Sequence, residues 1–330
     1  MNKYPFEGLI GSQQHRGRYI DPTTGSRVPR TVARAKPVGN EYMFLEDLRM
    51  RALPYGRGSD EGFRLDIHPS NEKILDLVRD ALPALNYRHG RIDESFRDYT
   101  QSALPALAQG NLYLEIEYFW DPGDEAGRPV AFRIDLLRPE LVAKRYGKYR
   151  YLVPTQAEVE ENTRWSSEPI DPKFLVVVSL PRRLRRELDR TLRVVRATGE
   201  DLSVLLDFAN GVHGKNSGFN FNTYQRISHD IVLRASKSIG WAGRGTYTED
   251  LLDPEKAWRA IQFTRTVVRL REIAVQGLQD AIDRAGGEIG FTAELKLSKV
   301  VTLDHLDRLE RDLEAGTRPI GEIFAPKAPA

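Results

Sequence analysis

Two runs of alternating apolar and polar residues, joined by a turn-rich segment, constrain this chain more than any other stretch. From Leu112 to Phe119, Leu112, Leu114, Ile116 and Tyr118 alternate with Tyr113, Glu115, Glu117 and Phe119. From Val130 to Leu137, Val130, Phe132, Ile134 and Leu136 alternate with Ala131, Arg133 and Asp135. Successive side chains of a strand point to opposite faces, so each run has one apolar face to bury. Asp121-Pro122-Gly123-Asp124-Glu125-Ala126-Gly127 between them is turn material, and the whole predicts a hairpin. An antiparallel register that joins the apolar faces sets Arg133 opposite Glu117. It also puts Glu115 and Glu117 on the outer face, where they read as ordinary strand residues and not as an acid–base pair. Asp121, Asp124 and Glu125 lack the ligand spacing of a calcium loop.

Helical periodicity dominates elsewhere, so the chain reads as α+β. A short helix is expected over 41–51. Ser70-Asn71-Glu72-Lys73 opens another, with Ile74, Leu77, Val78, Ala81 and Leu82 at helical spacing. A third runs from Asp93 to Leu107, interrupted near Pro105. Thr223 to Ile239 is a helical candidate on its apolar residues Ile227, Ile231, Val232 and Ala235. The longest helix spans Pro254 to Ala285, with proline in its first turn, Gly286-Gly287 as its stop, and an inner stripe of Trp258, Ile261, Val268, Val275, Leu278 and Ile282. Its bases fall early (Lys256, Arg259, Arg265, Arg269, Arg271) and Asp280 and Asp283 late. A strand over 291–297 and a last helix from Leu303 to Glu314, closed by Gly316, complete the chain. Residues 138–170 are polar and proline-punctuated, with a strand-like 149–153 and a short helix expected over 155–162.

Between Asp171 and Asn222 an apolar, β-branched run (174–180) ends at Pro181 and leads into an arginine-rich amphipathic helix. Leu184, Leu188, Leu192 and Val195 share one face. Arg183, Arg186, Arg190 and Arg193 share another, and Arg185 and Arg196 flank the apolar stripe. Gly199 is expected to end this helix, and the apolar run Leu202 to Phe208 to form a second strand before a Gly/Asn/Ser loop over 210–220. Seven arginines against Glu187 and Asp189 within fifteen residues is denser than solubility requires. Such a face is solvated, meets phosphates, or meets an acidic neighbouring subunit. Spacing alone leaves the three open.

The chain has 330 residues, ample for a core, with 49 basic and 47 acidic side chains and a net charge of +2. Any basic surface is therefore local. Zero cysteines exclude disulfides and thiolate metal sites. No apolar stretch approaches the roughly 18 residues of a membrane span, and Met1-Asn2-Lys3-Tyr4-Pro5 starts no signal peptide, so assembly in the cytosol is expected. Residues 1–40 form a basic arm with Arg16, Arg18, Arg27, Arg30, Arg34 and Lys36. Gly211-Val212-His213-Gly214-Lys215-Asn216 has the wrong spacing for a phosphate loop, and Gly214-Lys215-Asn216-Ser217-Gly218 is no nucleophile elbow. His15, His68, His89, His213, His229 and His305 form no pair at helical ligand spacing. No catalytic residue, metal ligand or cofactor is assigned, and an enzyme is not expected.

Several stretches resemble the portal proteins of tailed bacteriophages, the head-to-tail connectors of the DNA-packaging vertex. Leu104-Pro105-Ala106-Leu107-Ala108-Gln109-Gly110-Asn111-Leu112-Tyr113-Leu114-Glu115-Ile116 looks like the helix that enters the wing strand through a Gly-Asn-x-Tyr stretch. Gly127-Arg128-Pro129 through Leu137-Arg138-Pro139-Glu140-Leu141-Val142 is similar to the hairpin that follows it. Ser228 to Trp241 resembles the second stem helix with its Ile-Gly ending, and Thr302 to Ile323 the crown's final helix. The resemblance covers roughly residues 70–325. It implies a basic arm (1–40), a first wing part (41–170), a strand–helix–strand clip (171–222), a stem-like helix (223–241), a tunnel-loop-like connector (242–253), a long helix with the wing's return (254–300) and a short crown (301–330). Portals usually place a long stem helix between wing and clip, where 154–173 offers only a short polar one, so that helix is either reduced or placed elsewhere in the chain.

What the resemblance implies is a closed ring, commonly of twelve copies, in the virion's portal vertex, passing double-stranded DNA without sequence specificity. Its partners would be further copies of itself, the terminase motor, the major capsid protein and the tail adaptor. Arg244 and Tyr247, with Lys256 and Arg259 behind them, are the residues expected near DNA. The clip arginines are expected against intersubunit acids such as Glu200 and Asp201. Two alternatives stand beside it: a nucleic-acid-binding protein without a ring that uses the Arg182–Arg196 helix, and a nuclease or transferase with dispersed acids.

Overall fold

The computed structural model describes residues 6, 9–11, 39–55, 62–82, 91–123, 127–154, 165–211, 221–243 and 252–319, with 153–154, 165–166, 199–211 and 221–225 as backbone alone. The fold is α+β. In chain order its elements are β1 (Ile10–Gly11), α1 (Asn40–Met50), β2 (Arg64–His68), α2 (Glu72–Ala81), α3 (Ile92–Gln109), β3 (Leu112–Trp120), β4 (Ala131–Leu137), β5 (Val142–Arg145), β6 (Lys148–Pro154), β7 (Trp165–Ile170), β8 (Leu175–Val178), α4 (Arg182–Gly211), α5 (Phe221–Ala235), α6 (Asp253–Ile289), β9 (Glu294–Ser298) and α7 (Leu303–Ala315).

The expected hairpin forms in the expected register. β3 and β4 pair antiparallel with Leu114 opposite Leu136, Ile116 opposite Ile134, Tyr118 opposite Phe132 and Glu117 opposite Arg133. The other edge of β3 takes β8 at one end and β1 at the other. The face carrying Leu112, Leu114, Ile116, Phe132 and Ile134 joins the main core with α3 and α6. Contrary to expectation, the opposite face is not open to solvent: Glu115 and Glu117 are both buried. A three-stranded antiparallel sheet, β5-β6-β7, supplies Tyr151 and Ile170 to a second cluster with Leu141 of the turn before it and with Leu137, Leu175, Tyr113 and Val177. Of that sheet only the 149–153 strand was foreseen. The helix expected over 155–162 lies outside the described residues.

The helices are built around α6. Pro254 lies in its first turn, where a missing amide hydrogen leaves no intrahelical bond unmade. Ile261, Val268, Leu278 and Ile282 are fully buried as the spacing requires. The helix passes through Gly286-Gly287, however, and stops at Gly290, whose φ of 97° is the left-handed C-terminal conformation. Gly286 is a close-approach residue instead: a Cβ there would lie 2.4 Å from the carbonyl oxygen of Phe291. Likewise Pro105 sits inside α3, which continues to Gln109. The expected strand over 291–297 is β9, which pairs with β2. α7 lays Leu306 and Leu309 on Ala257, Ile261 and Val268 of α6.

The largest departure concerns 182–211. The strand–helix–strand unit expected over 171–222 is β8 followed by one uninterrupted 30-residue helix. Gly199 does not end it, and the run Leu202 to Phe208 is helical, not a strand. The reason is phase. Leu184, Leu188, Leu192, Val195, Leu202, Leu205 and Leu206 keep to a helical period across the glycine, and a single interior glycine costs only about 1 kcal/mol.

Candidate interaction surface

α4 leaves β8 through Pro181, whose carbonyl accepts the first helical bond, from the amide of Arg185. Leu184, Leu188, Thr191, Leu192, Val195 and Thr198 are buried, and they pack against α1, α3 and α5. α5 is held antiparallel to it partly by the Thr191 hydroxyl, which donates to the Ala235 carbonyl at 3.0 Å. Beyond α5, Gly240 adopts φ 78° against the α6 backbone, where any Cβ would sit 2.4 Å from the Phe263 nitrogen. That contact gives the Ile239-Gly240-Trp241 ending a physical reason. Only glycine fits the close approach. Trp241 then donates to Asp47 at 2.8 Å and meets Phe44 edge-on.

The seven arginines of α4 divide into two sets. Arg185 turns inward and caps the end of α3, donating to the carbonyls of Leu107 (2.7 Å), Ala108 (3.0 Å) and Gly110. Those are the orphan carbonyls a helix C-terminus leaves behind. Arg196 also turns inward, to Glu41 of α1 at 2.8 Å. Arg182, Arg183, Arg186, Arg190 and Arg193 are exposed. Arg183 reaches Glu187 at 3.1 Å but remains 92% exposed, so that pair contributes little. Among the described residues, Arg182, Arg186, Arg190 and Arg193 have no carboxylate at ion-pair distance. The exposed face of Arg183, Arg186, Arg190 and Arg193 is thus the one the spacing sets out. The side chains of Glu200 and Asp201 lie outside the described residues.

α5 differs from expectation. Val232 is buried against the rest of the fold, but Ile227 and Ile231 are 51% and 45% exposed on its solvent side. No polar–apolar contrast in this sequence separates them from the buried residues.

Arg244 and Tyr247 lie outside the described residues. Lys256 is at the start of α6, 3.5 Å from Asp253. Arg259 is not a surface residue: it is 3% exposed and donates to Glu255 at 3.1 Å and to the Leu233 carbonyl at 3.2 Å. Its expected place near DNA is corrected accordingly, because α5 covers it. Arg265 and Arg271 are also buried. Arg265 donates to Asp307 and Glu310 of α7, both at 2.7 Å. Burial works against its charge, and the two carboxylates overcome that and raise its pKa. Arg271 donates to the carbonyls of Ala52 and Val301, and burial pushes its pKa down to about 10.

Of the two buried acids of β3, Glu117 is held in an ion pair. Glu117 accepts from Arg133 at 2.6 Å, and Arg133 also reaches Asp135 at 3.3 Å while lying over the rings of Phe6 and Phe119. Tyr151 on the covering sheet has its phenol pushed up to about 12, chiefly by burial, so it stays protonated. Among the described residues no group of three or more His, Asp or Glu side chains is placed to hold a metal ion. Among the same residues no helix is long and apolar enough to cross a membrane.

No family model matches this chain, and no curated protein does. Among solved structures it is similar to a chain from the neck of a native GTA particle computed with C12 symmetry, at 15% identity and a TM-score of 0.44, over 98% of this chain and 97% of that one. An identity that low pairs no individual site residues.

Proposed function

We propose that this chain is the subunit of a portal: a closed ring of identical copies, twelve in the family it resembles, set at one vertex of a virion to pass double-stranded DNA. One observation carries the reading. An antiparallel helix pair (α4–α5) leads through the connector 242–252 into a 37-residue helix, about 55 Å long, and then a short terminal helix on its flank. That is the order stem, tunnel loop, long helix and crown in the resembled family, preceded here by the β3–β4 hairpin at the wing's position.

The helix pair also revises the assignment of parts. α4 supplies the long helix missing from 154–173 and takes the first stem position, with α5 as the second. The clip is then the short segment 212–220 between them, not a strand–helix–strand unit. A conduit of this kind works by holding phosphates weakly, because each persistent Lys/Arg–phosphate contact adds a counterion-linked barrier to sliding. Arg244, Tyr247 and Lys256 are the residues proposed to face DNA. The terminase, capsid protein and tail adaptor are the proposed partners.

Imaging the purified full-length chain by negative stain tests this. Rings with a central hole wide enough for a duplex are expected, and particles of a single 37.6 kDa chain at every concentration would end the proposal. The exposed arginines of α4 also support a second reading, a nucleic-acid-binding protein without a ring. Such a protein would run as a monomer or dimer and bind duplex DNA with a steep salt dependence.

A further inference from the structure

A ring needs two different patches on each subunit, one complementary to the other, because its contacts are head-to-tail. We propose that the arginine face of α4 on one copy seats against the acidic C-terminal half of α6 on the next, an assignment that rests on the ring reading above. On α4, Arg182, Arg186, Arg190 and Arg193 are exposed with no carboxylate at ion-pair distance among the described residues, along about 16 Å of helix. On α6, Glu272, Asp280, Asp283 and Glu288 are exposed along about 24 Å. Among the described residues, Asp280 and Asp283 take amide donors alone, from Gln276 at 2.8 Å and Gln279 at 2.7 Å. Arg284, the base beside them, is turned away and donates to the backbone carbonyls of Pro172, Lys173 and Leu175. Among the described residues, Asp280, Asp283 and Glu288 thus have no side-chain cation at ion-pair distance, with Arg284 the one base along 276–288.

The two stripes do not meet within one chain. α4 and α6 each pack on α3, and no extensive contact joins α4 to α6. Exposed charges of opposite sign thus lie on two different helices of the same chain. In a head-to-tail contact a basic face is complemented by an acidic one, and the same chain presents both. Phosphate is the competing partner for the arginines, but it leaves the α6 acids unexplained.

Charge reversal decides it. The basic variant is Arg186→Glu/Arg190→Glu/Arg193→Glu; the acidic variant is Asp280→Lys/Asp283→Lys/Glu288→Lys. Native mass spectrometry of full-length protein, with circular dichroism as a check on folding, is expected to show at least tenfold less ring for each variant alone than for the wild type. Mixed one to one, they are expected to regain rings of alternating composition, because each reversed face then meets a reversed partner. Rings from either variant alone at wild-type yield overturn the pairing and leave the ring reading intact. So does a mixture that fails to recover. Loss confined to the basic variant, with wild-type rings that retain a random-sequence duplex in a salt-dependent way, assigns the arginines to phosphate and also overturns it. A wild-type chain that never assembles removes the ring reading, and this pairing with it.

Discussion

α4 and α6 are the two longest helices of the described chain, both rich in arginine, and they treat it oppositely. α4 buries one apolar stripe and turns five of its seven arginines to solvent. α6 packs against α3, α7, β3, β4, β8 and β9, and on its packed side it turns Arg259, Arg265 and Arg271 inward onto carbonyls and carboxylates, while Arg269 and Arg284 stay exposed. The difference is one of surroundings, not of residue type. A buried guanidinium is costly unless it is hydrogen-bonded or paired, and inside this fold Arg265 and Arg271 clasp neighbouring elements through such bonds. A guanidinium on a one-sided helix is free for a partner outside the chain.

Breaking α4 in its middle has the largest expected effect. Gly199→Pro in a continuous helix costs about 3 kcal/mol or more, whereas at a helix end it costs little. A urea midpoint that hardly moves would mean that α4 stops at Gly199 after all. Arg271→Ala comes next. It orphans the carbonyls of Ala52 and Val301 and opens a cavity, for an expected loss of about 2–3 kcal/mol by chemical denaturation. Arg186→Gln/Arg190→Gln/Arg193→Gln should weaken assembly while leaving the melting midpoint of the unassembled subunit, measured at dilution, where it is. An equal loss of stability from both helices would erase the contrast between them.

The smallest effect is one of pH. Burial, with Arg308 and Arg318 nearby, lowers the pKa of His305 below its ordinary 6.5. The unfolded chain therefore takes up the proton first, so stability falls as pH drops through about 6.5 and levels off below the folded pKa. His305→Asn should remove that small slope from thermal melts taken between pH 7.5 and 5. An unchanged slope would assign it to another group.

Local signals were legible where they were complete in themselves. The alternation in 112–137 was enough to set Glu117 opposite Arg133, and Asn71 caps α2 as its side chain and position require, accepting from the Lys73 amide. The exposed face of Arg183, Arg186, Arg190 and Arg193 followed from periodicity alone. What could not be read depended on distant packing. Glu115 lies near Tyr151 of the second sheet, Glu117 is paired with Arg133 beneath Phe6 and Phe119, and Arg259 is turned inward onto the Leu233 carbonyl of α5. The Leu202 to Phe208 run has the length and composition of a strand. Only its phase with Leu184 to Val195 shows that it continues the helix.

The central claim is that the outward arginines of α4 are a contact between copies, and a reconstruction of the assembled full-length protein tests it most directly. The expected map is a closed ring in which the outer face of α4 lies within salt-bridge distance of a neighbouring copy's α6. A ring with that face open to solvent or lining the hole, or a protein that stays a single chain, would contradict it.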